Sequence, residues 1–88
     1  MANITKTQTK KRAEKIAERL DEILDLLREL AEEVRDEADN VEPYEGKDDL
    51  TEAQEERVDW LNEQADILEE QADTLEEVRD NVQEIAFN

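Results

Sequence analysis

Residues 61–81 read LNEQADI, LEEQADT and LEEVRDN, three successive heptads that each begin with leucine. A seven-residue apolar repeat is typical of a helix that packs along its length against other helices. One stripe of this helix is therefore apolar, and only Arg79 interrupts it. The stripe comprises Val58, Leu61, Ala65, Leu68, Ala72, Leu75, Arg79 and Val82. The pattern predicts an all-α protein organised around this stripe.

A second stripe on the same helix contains no charged residue, although 44% of the residues in the chain are charged. It comprises Trp60, Gln64, Ile67, Gln71, Thr74, Val78, Asn81 and Ile85. A lone pair of helices needs one contact stripe, whereas two stripes suit a helix with two neighbours. We therefore expect the hairpin to dimerise with itself into a four-helix bundle. The dimer interface is predicted at Trp60, Gln64, Ile67, Gln71, Val78 and Ile85, and a foreign protein docking on these residues is the alternative.

An upstream segment has the same helical spacing of apolar residues. Its main stripe is Ala13, Ile16, Leu20, Ile23, Leu27, Leu30, Val34 and Val41. A flanking set, Ala17, Leu24, Ala31 and Ala38, widens that stripe into a face of the kind that a bundle helix buries.

The only proline, Pro43, and the only glycine, Gly46, lie between the two helical patterns. Pro43 disfavours helix at the residue before it, so the first helix should end nearby. Downstream, Thr51 and Gln54 have the spacing of a helix-starting capping box. We predict a flexible polar N-terminus over residues 1–8 and one hairpin domain over 9–88. Within that domain, helices at about 9–40 and 51–86 flank a loop at about 41–50, and the two helices run antiparallel.

The composition restricts the chemistry that this chain can carry. The 88 residues include no cysteine and no histidine, so disulfides, thiol nucleophiles and Cys or His metal sites are excluded. Catalytic carboxylates need a partly dry pocket, which two long helices do not provide. The acidic residues of the loop do not have the ligand order of an EF-hand. We expect no enzymatic activity, no cofactor and no dedicated metal site.

Charge is distributed unevenly along the chain, whose net charge is −17. Residues 1–20 carry six basic and two acidic side chains, whereas residues 21–88 carry five basic and 26 acidic ones. An antiparallel hairpin brings the basic start of the first helix beside the acidic end of the second. We therefore predict that these bases are neutralised within the chain and do not contact nucleic acid or membrane. The lack of a long apolar run or signal-peptide pattern predicts a cytoplasmic protein.

The acidity itself suggests a function. Duplex DNA carries one negative charge per ~1.7 Å of axis. Two hairpins carry 34 net negative charges, and on a rod roughly 50 Å long this is about one per 1.5 Å. Our leading hypothesis is a nucleic-acid mimic that inhibits a basic DNA- or RNA-binding defence protein of a host cell. The alternative is a structural coiled-coil dimerisation or scaffold module whose acidity only maintains solubility.

The acidic surface predicted to contact such a partner lies toward the loop end of both helices. It comprises Glu29, Glu32, Glu33, Asp36, Glu37, Glu52, Glu55, Glu56 and Asp59.

Several short motifs recur in a known group of proteins. They are Lys10-Lys11-Arg12, the spaced leucines of the first helix, residues 36–40 before a proline-containing break, and the repeated Leu-Glu-Glu of the second helix. From Lys10 onward the chain resembles small acidic helical-hairpin proteins encoded by phages and mobile elements. Val41-Glu42-Pro43 departs from the Leu-Pro expected at the break. The group has no assigned activity, but the resemblance implies a phage setting, where small acidic proteins block host defence nucleases of the CRISPR or restriction type.

Overall fold

The computed structural model describes residues 3–87, which form two α-helices and no strand. Helix α1 spans Lys6–Asp39 and helix α2 spans Glu52–Phe87. They pack side by side and antiparallel. Ion pairs that link residue 21 to 79, 28 to 76 and 35 to 66 show this orientation. The hairpin is a rod with principal extents of 71 × 20 × 16 Å. The predicted all-α antiparallel hairpin is confirmed.

Helix α1 begins at Lys6, three residues before its predicted start near residue 9. Thr5 caps it, because the Gln8 backbone N–H donates to Thr5 Oγ1 at 3.1 Å. In return, the Thr5 backbone N–H donates to Gln8 Oε1 at 3.1 Å. This reciprocal capping box satisfies two backbone groups that a bare helix end would leave unpaired. Residues 6–8, predicted as part of a flexible terminus, are therefore helical.

The loop follows the predicted boundaries closely. Asp39 is the last residue of α1, and the Asn40 N–H closes the helix with a 3.0 Å bond to the Asp36 carbonyl. A tight turn then joins Tyr44 to Lys47, whose N–H donates to the Tyr44 carbonyl at 2.9 Å. Gly46 occupies the third position of that turn with φ +83°, a backbone conformation that residues with a Cβ atom rarely adopt.

The predicted capping box of α2 is confirmed. The Gln54 N–H donates to Thr51 Oγ1 at 3.1 Å, and the Thr51 N–H donates to Gln54 Oε1 at 2.9 Å. Gln54 Nε2 also donates to the Glu42 carbonyl at 2.8 Å. One side chain thus starts the helix and fixes the preceding loop against it.

The buried contact between the helices consists mainly of alanine. Among residues 3–87, eight are buried: Ala13, Ala17, Leu24, Ala31, Ala38, Leu61, Ala65 and Ala72. Alanine lets two helix backbones approach closely, so the alanine column occupies the line of contact. We call this line the seam. The predicted α2 stripe is confirmed as its second half, since Leu61, Ala65 and Ala72 are buried.

The structure buries only part of the apolar face predicted for α1. Leu20, Leu27 and Val34 are half-buried beside the buried residues. Ile16, Ile23 and Leu30 were placed in the main stripe, yet they are 51%, 48% and 46% exposed. The set treated as flanking, Ala17 to Ala38 in steps of seven, forms the seam instead. The physical reason is the close approach of the helices, which displaces the larger side chains on either side of the alanine column.

Ala65→Leu should destabilise the hairpin by about 1–3 kcal/mol, because three extra carbons must enter a seam that leaves Ala65 fully buried. Urea unfolding followed by circular dichroism measures this change. The matched control is Ala53→Leu, the same substitution at an exposed position of α2, which should change stability by less than about 0.5 kcal/mol. Equal effects of the two substitutions would contradict a close alanine contact.

Candidate functional site

The seam divides the hairpin into two sides, because residues near it lie on one flank or the other at 100° per residue. In both helices, the residue four after a seam position lies on one side of the seam. The residue one before a seam position lies on the opposite side. Corresponding sides of two antiparallel helices meet, so each side of the hairpin combines one flank of α1 with one flank of α2.

The first side, which we call the bridged side, carries ion pairs between the helices. Arg28 Nη2 lies 2.9 Å from Glu76 Oε2. Arg35 Nη2 lies 2.8 Å from Asp66 Oδ1 and 3.1 Å from Glu69 Oε2. The hydrogen bonds to Asp66 and Glu69 raise the pKa of the Arg35 guanidinium above its ordinary value. This side of the hairpin therefore has matched opposite charges.

Arg79 is the one charged residue in the predicted α2 stripe, and its side chain reaches across to Asp21 of α1. It also contacts Asp80, with Nη2 2.9 Å from Oδ1. The hydrogen bonds to Asp21 and then Asp80 raise the pKa of the Arg79 guanidinium. The interruption of the apolar stripe thus becomes a cross-helix ion pair.

The second side, which we call the open side, is mainly apolar, and its one ion pair among residues 3–87 joins Arg57 to Glu37 beside the loop. Its members are half-exposed: Ile16, Ile23 and Leu30 of α1, and Val78 and Ile85 of α2, with Gln64 and Gln71 between them. Trp60 and Ile67 extend it outward and are 58% and 45% exposed. All six predicted interface residues of α2 therefore lie on this side.

The α1 half of the open side was missed by the sequence analysis. Its signal was present, because Ile16, Ile23 and Leu30 lie seven residues apart beside a parallel column of alanine and leucine. Both columns were assigned to one wide face. Which column is buried depends on how closely α2 approaches.

The two helices meet on the open side near the chain ends as well. Ile4, Thr9 and Lys10 of the N-terminal region line a shallow depression together with Ile85 of α2. A neighbouring depression is formed by Ile16 with Arg12, Lys15 and Arg19. The aliphatic stems of these bases therefore border the open side.

The predicted neutralisation of the basic N-terminal end does not take the form of direct ion pairs among residues 3–87. No carboxylate of residues 3–87 forms an ion pair with the six bases of this end, Lys6, Lys10, Lys11, Arg12, Lys15 and Arg19. Glu76 of α2 pairs with Arg28, whose Nη2 lies 2.9 Å from Glu76 Oε2. Arg12 and Arg19 lie on the part of α1 that faces away from α2. Each of them precedes an open-side residue by four positions.

The nine acidic residues predicted to contact a partner are all exposed. They form a band around the loop half of the rod and not a single flat face, since their positions differ in rotation about each helix. Glu37 Oε1 accepts a hydrogen bond from Arg57 at 3.0 Å. Arg35 is the other base within this half that pairs with acids.

The described residues contain no enclosed polar site. None of the buried residues among 3–87 is polar or charged, and within the same range no group of three or more carboxylates is placed to hold a metal ion. Neither helix has an apolar stretch long enough to cross a bilayer. The features available for function are therefore the open side, the acidic band and the basic end.

No protein-family model, curated protein or solved structure matches this chain.

The two neighbours Ile23 and Leu24 should respond very differently to truncation. Leu24 is 1% exposed and Ile23 is 48% exposed. Leu24→Ala should cost about 2–5 kcal/mol, whereas Ile23→Ala should cost less than about 1 kcal/mol. Urea unfolding, at a protein concentration low enough to keep single hairpins apart, measures both. If Ile23→Ala destabilised the hairpin more than Leu24→Ala, the helix contact would lie along the Ile23 column and not along the alanine column.

Proposed function

We propose that this chain is a non-enzymatic interaction protein that acts as a homodimer. Two hairpins would join through their open sides into a four-helix bundle. The acidic outer surface of that bundle would then occupy the nucleic-acid-binding groove of a basic protein. The observation that carries the proposal is the two-sidedness of the hairpin, with an exposed apolar side opposite an ion-paired one.

Surface area supports the homodimer. The hairpin exposes 7178 Å², whereas a compact protein of 10.3 kDa exposes about 5,400 Å². The excess is large compared with the roughly 800 Å² that each partner buries in a standard interface. Among residues 3–87, the large apolar side chains that are fully buried are those of Leu24 and Leu61. A second copy would supply the burial that one hairpin of this size lacks.

Charge density supports the mimicry of nucleic acid. Two chains carry 34 net charges, twice the −17 of one. Over a rod of 71 Å this is one charge per 2.1 Å, compared with about one per 1.7 Å in duplex DNA. The rod is longer than the roughly 50 Å assumed from the sequence, so the match is looser than expected but remains close.

The absence of buried polar groups among residues 3–87 supports a non-enzymatic role. Catalytic acids and bases are tuned by burial and by specific partners in a cleft. The depressions in this rod are shallow, and exposed stems line them. Binding through extended surfaces is the activity that such a rod supports best.

A scaffold role is the second candidate, and one observation favours it. Acidic residues also cover the half of α2 far from the loop, at Glu70, Glu77 and Glu84. Acid spread over the whole outer surface is what solubility alone requires. In this case the open side would be the only functional surface, and the acidic band would contact nothing.

The homodimer predicts a solution mass of twice 10.3 kDa. Placing glutamate on the open side, as Ile23→Glu with Ile67→Glu, should give monomers, because four carboxylates would have to enter an apolar interface. Sedimentation equilibrium measures the mass. Trp60, the only tryptophan, should change its emission from that of a shielded ring to that of a hydrated one.

The matched control is Asn62→Glu with Gln83→Glu, which adds the same two charges on the bridged side. Each lies seven residues from a carboxylate of the bridged side, because Asn62 precedes Glu69 and Gln83 follows Glu76 by seven positions. This variant should remain dimeric. A wild-type protein that is monomeric at micromolar concentration would contradict the homodimer.

Mimicry predicts that the dimer displaces duplex DNA from the basic groove of a defence nuclease of the restriction or CRISPR type. The resemblance to phage proteins suggests this class of target. Competition should weaken steeply with rising salt, since many exposed charges take part. Fluorescence anisotropy of labelled DNA measures displacement. Insensitivity to salt, or no displacement from any nuclease tested, would favour the scaffold role.

A charge-reversal pair sharpens this experiment. One variant reverses four residues of the acidic band that lie away from the open side: Glu32→Lys, Asp36→Lys, Glu56→Lys and Asp59→Lys. The control makes four reversals in the distal half of α2: Glu70→Lys, Asp73→Lys, Glu77→Lys and Glu84→Lys. Both change the net charge equally. The first variant should displace labelled DNA more than about tenfold less well than wild type, and the control should lose much less. Equal losses in the two variants would indicate non-specific attraction.

A further inference from the structure

We infer that the two hairpins of the dimer lie head to tail. In this arrangement α1 packs on α1 of the second copy, α2 packs on α2, and the two loops lie at opposite ends of the rod. The inference rests on the proposed homodimer and names its partner surfaces and orientation. Its basis is the charge along the outer border of the open side.

On α1 this border is formed by residues four before the open-side positions. Reading along the helix it is Arg12, Arg19, Leu26 and Glu33, with Glu37 beyond at an open-side position. Basic residues therefore occupy one half, a leucine occupies the middle, and acidic residues occupy the other half. Leu26 is 62% exposed. We call this row the α1 border.

The charges of two α1 borders are complementary only when the two α1 helices run antiparallel. In a two-fold interface residue i contacts j and j contacts i, so each pair of complementary groups is used twice. Turning one α1 end for end places its Arg12 and Arg19 beside Glu33 and Glu37 of the other. Leu26 and Ile23 then lie near the two-fold axis. A parallel α1 pair would instead oppose base to base and acid to acid.

The corresponding border of α2 has a different character. It is formed by Trp60, Ile67, Thr74 and Asn81, none of which is charged. Four α2 open-side positions, Gln64, Gln71, Val78 and Ile85, are also uncharged. The position nearest the loop is Arg57, and its charge is paired with Glu37 of the same hairpin. Two α2 helices can therefore pack together without opposing like charges.

The other symmetric arrangement, with both loops at one end, fits these borders poorly. It would place α1 of each hairpin against α2 of the other. Arg12, Arg19, Glu33 and Glu37 would then face the uncharged α2 border and be partly desolvated without charged partners. In the head-to-tail arrangement, the charged α1 border faces the charged α1 border of the second copy. The uncharged α2 border faces its own copy.

The ion pairs within the hairpin are consistent with this choice. Arg12 and Arg19 make no ion pair with a carboxylate of residues 3–87, so both are available to a second copy. Of their proposed partners, Glu37 already pairs with Arg57 at 3.0 Å and would be shared between the two arginines, whereas Glu33 forms no ion pair within residues 3–87. Their stems surround Ile16, which fixes them beside the apolar surface. The second copy's acids would complete this neutralisation, which the single hairpin lacks.

Spin labels on engineered cysteines test the orientation, and the chain has no native cysteine to interfere. Label one sample at Glu22→Cys, which is exposed and in the middle of α1, and a second at Tyr44→Cys in the loop. Pulsed electron paramagnetic resonance then measures the distance between identical labels in the full-length dimer. Glu22 labels should lie within roughly two to three helix diameters, about 20–35 Å, in either orientation.

Tyr44 labels should be separated by most of the 71 Å rod, or give no measurable dipolar coupling, if the hairpins lie head to tail. Short distances at both sites would overturn the orientation while leaving the homodimer intact. No coupling between Glu22 labels would mean that the homodimer itself is absent, which removes both proposals. The two failures are therefore distinguishable.

A charge swap provides an independent test. Arg12→Glu with Arg19→Glu makes the α1 border acidic, and Glu33→Arg with Glu37→Arg makes it basic. Head to tail, each variant alone should dimerise roughly tenfold or more weakly than wild type, because four exposed pairs become repulsive. Mixing the two variants should restore dimerisation as a heterodimer.

The matched control is Glu18→Arg with Glu32→Arg, the same charge change on exposed positions of α1 away from the open side. It should not weaken dimerisation, and mixing should give no further gain. Both affinities are measured by sedimentation velocity on the full chains. Equal behaviour of all three variants, or no recovery on mixing, would overturn the head-to-tail arrangement.

Discussion

The close alanine contact between α1 and α2 is the constraint on which the other features of this hairpin depend. Six of the eight buried residues are alanine. Small side chains at the contact let the helices approach, and this approach leaves little room between them for leucine or isoleucine. The larger apolar residues are consequently displaced to one flank. A core of this kind is narrow, so large apolar residues such as Ile16, Ile23 and Leu30 remain about half exposed.

The same contact explains why the two flanks differ. Positions four after the seam carry Asp21, Arg28 and Arg35 on α1, and these meet carboxylates or Arg79 on α2. Positions one before the seam carry isoleucine, leucine, valine and glutamine over most of their length. Exposed ion pairs contribute little to stability, but they occupy their flank. The other flank therefore has apolar side chains and no partner, as expected of an interaction surface.

The sequence was sufficient for the fold and insufficient for the order of burial. Heptads, Pro43, Gly46 and the Thr51–Gln54 capping box correctly predicted two antiparallel helices and the loop between them. The Thr5–Gln8 box had an equivalent signal, but it precedes the apolar pattern from which the helix start was inferred. Ile23 and Leu24 could not be ranked, because hydropathy does not specify the distance between helix axes. That distance is a property of the pair of helices, and it depends on alanines on both.

Acidity and self-association make opposing demands on this chain. Two molecules of charge −17 repel each other, and this general repulsion decreases with salt. An apolar side alone would have to overcome it without directing orientation, since apolar contact is not directional. The α1 border provides direction, because its attraction acts at short range between a basic and an acidic half. In the proposed dimer, net repulsion would favour arrangements in which these halves meet. In the proposed dimer, Glu33 and Glu37 of the acidic band would take part in this contact. Glu32, Asp36, Glu56 and Asp59 would remain on the outer surface for a basic partner.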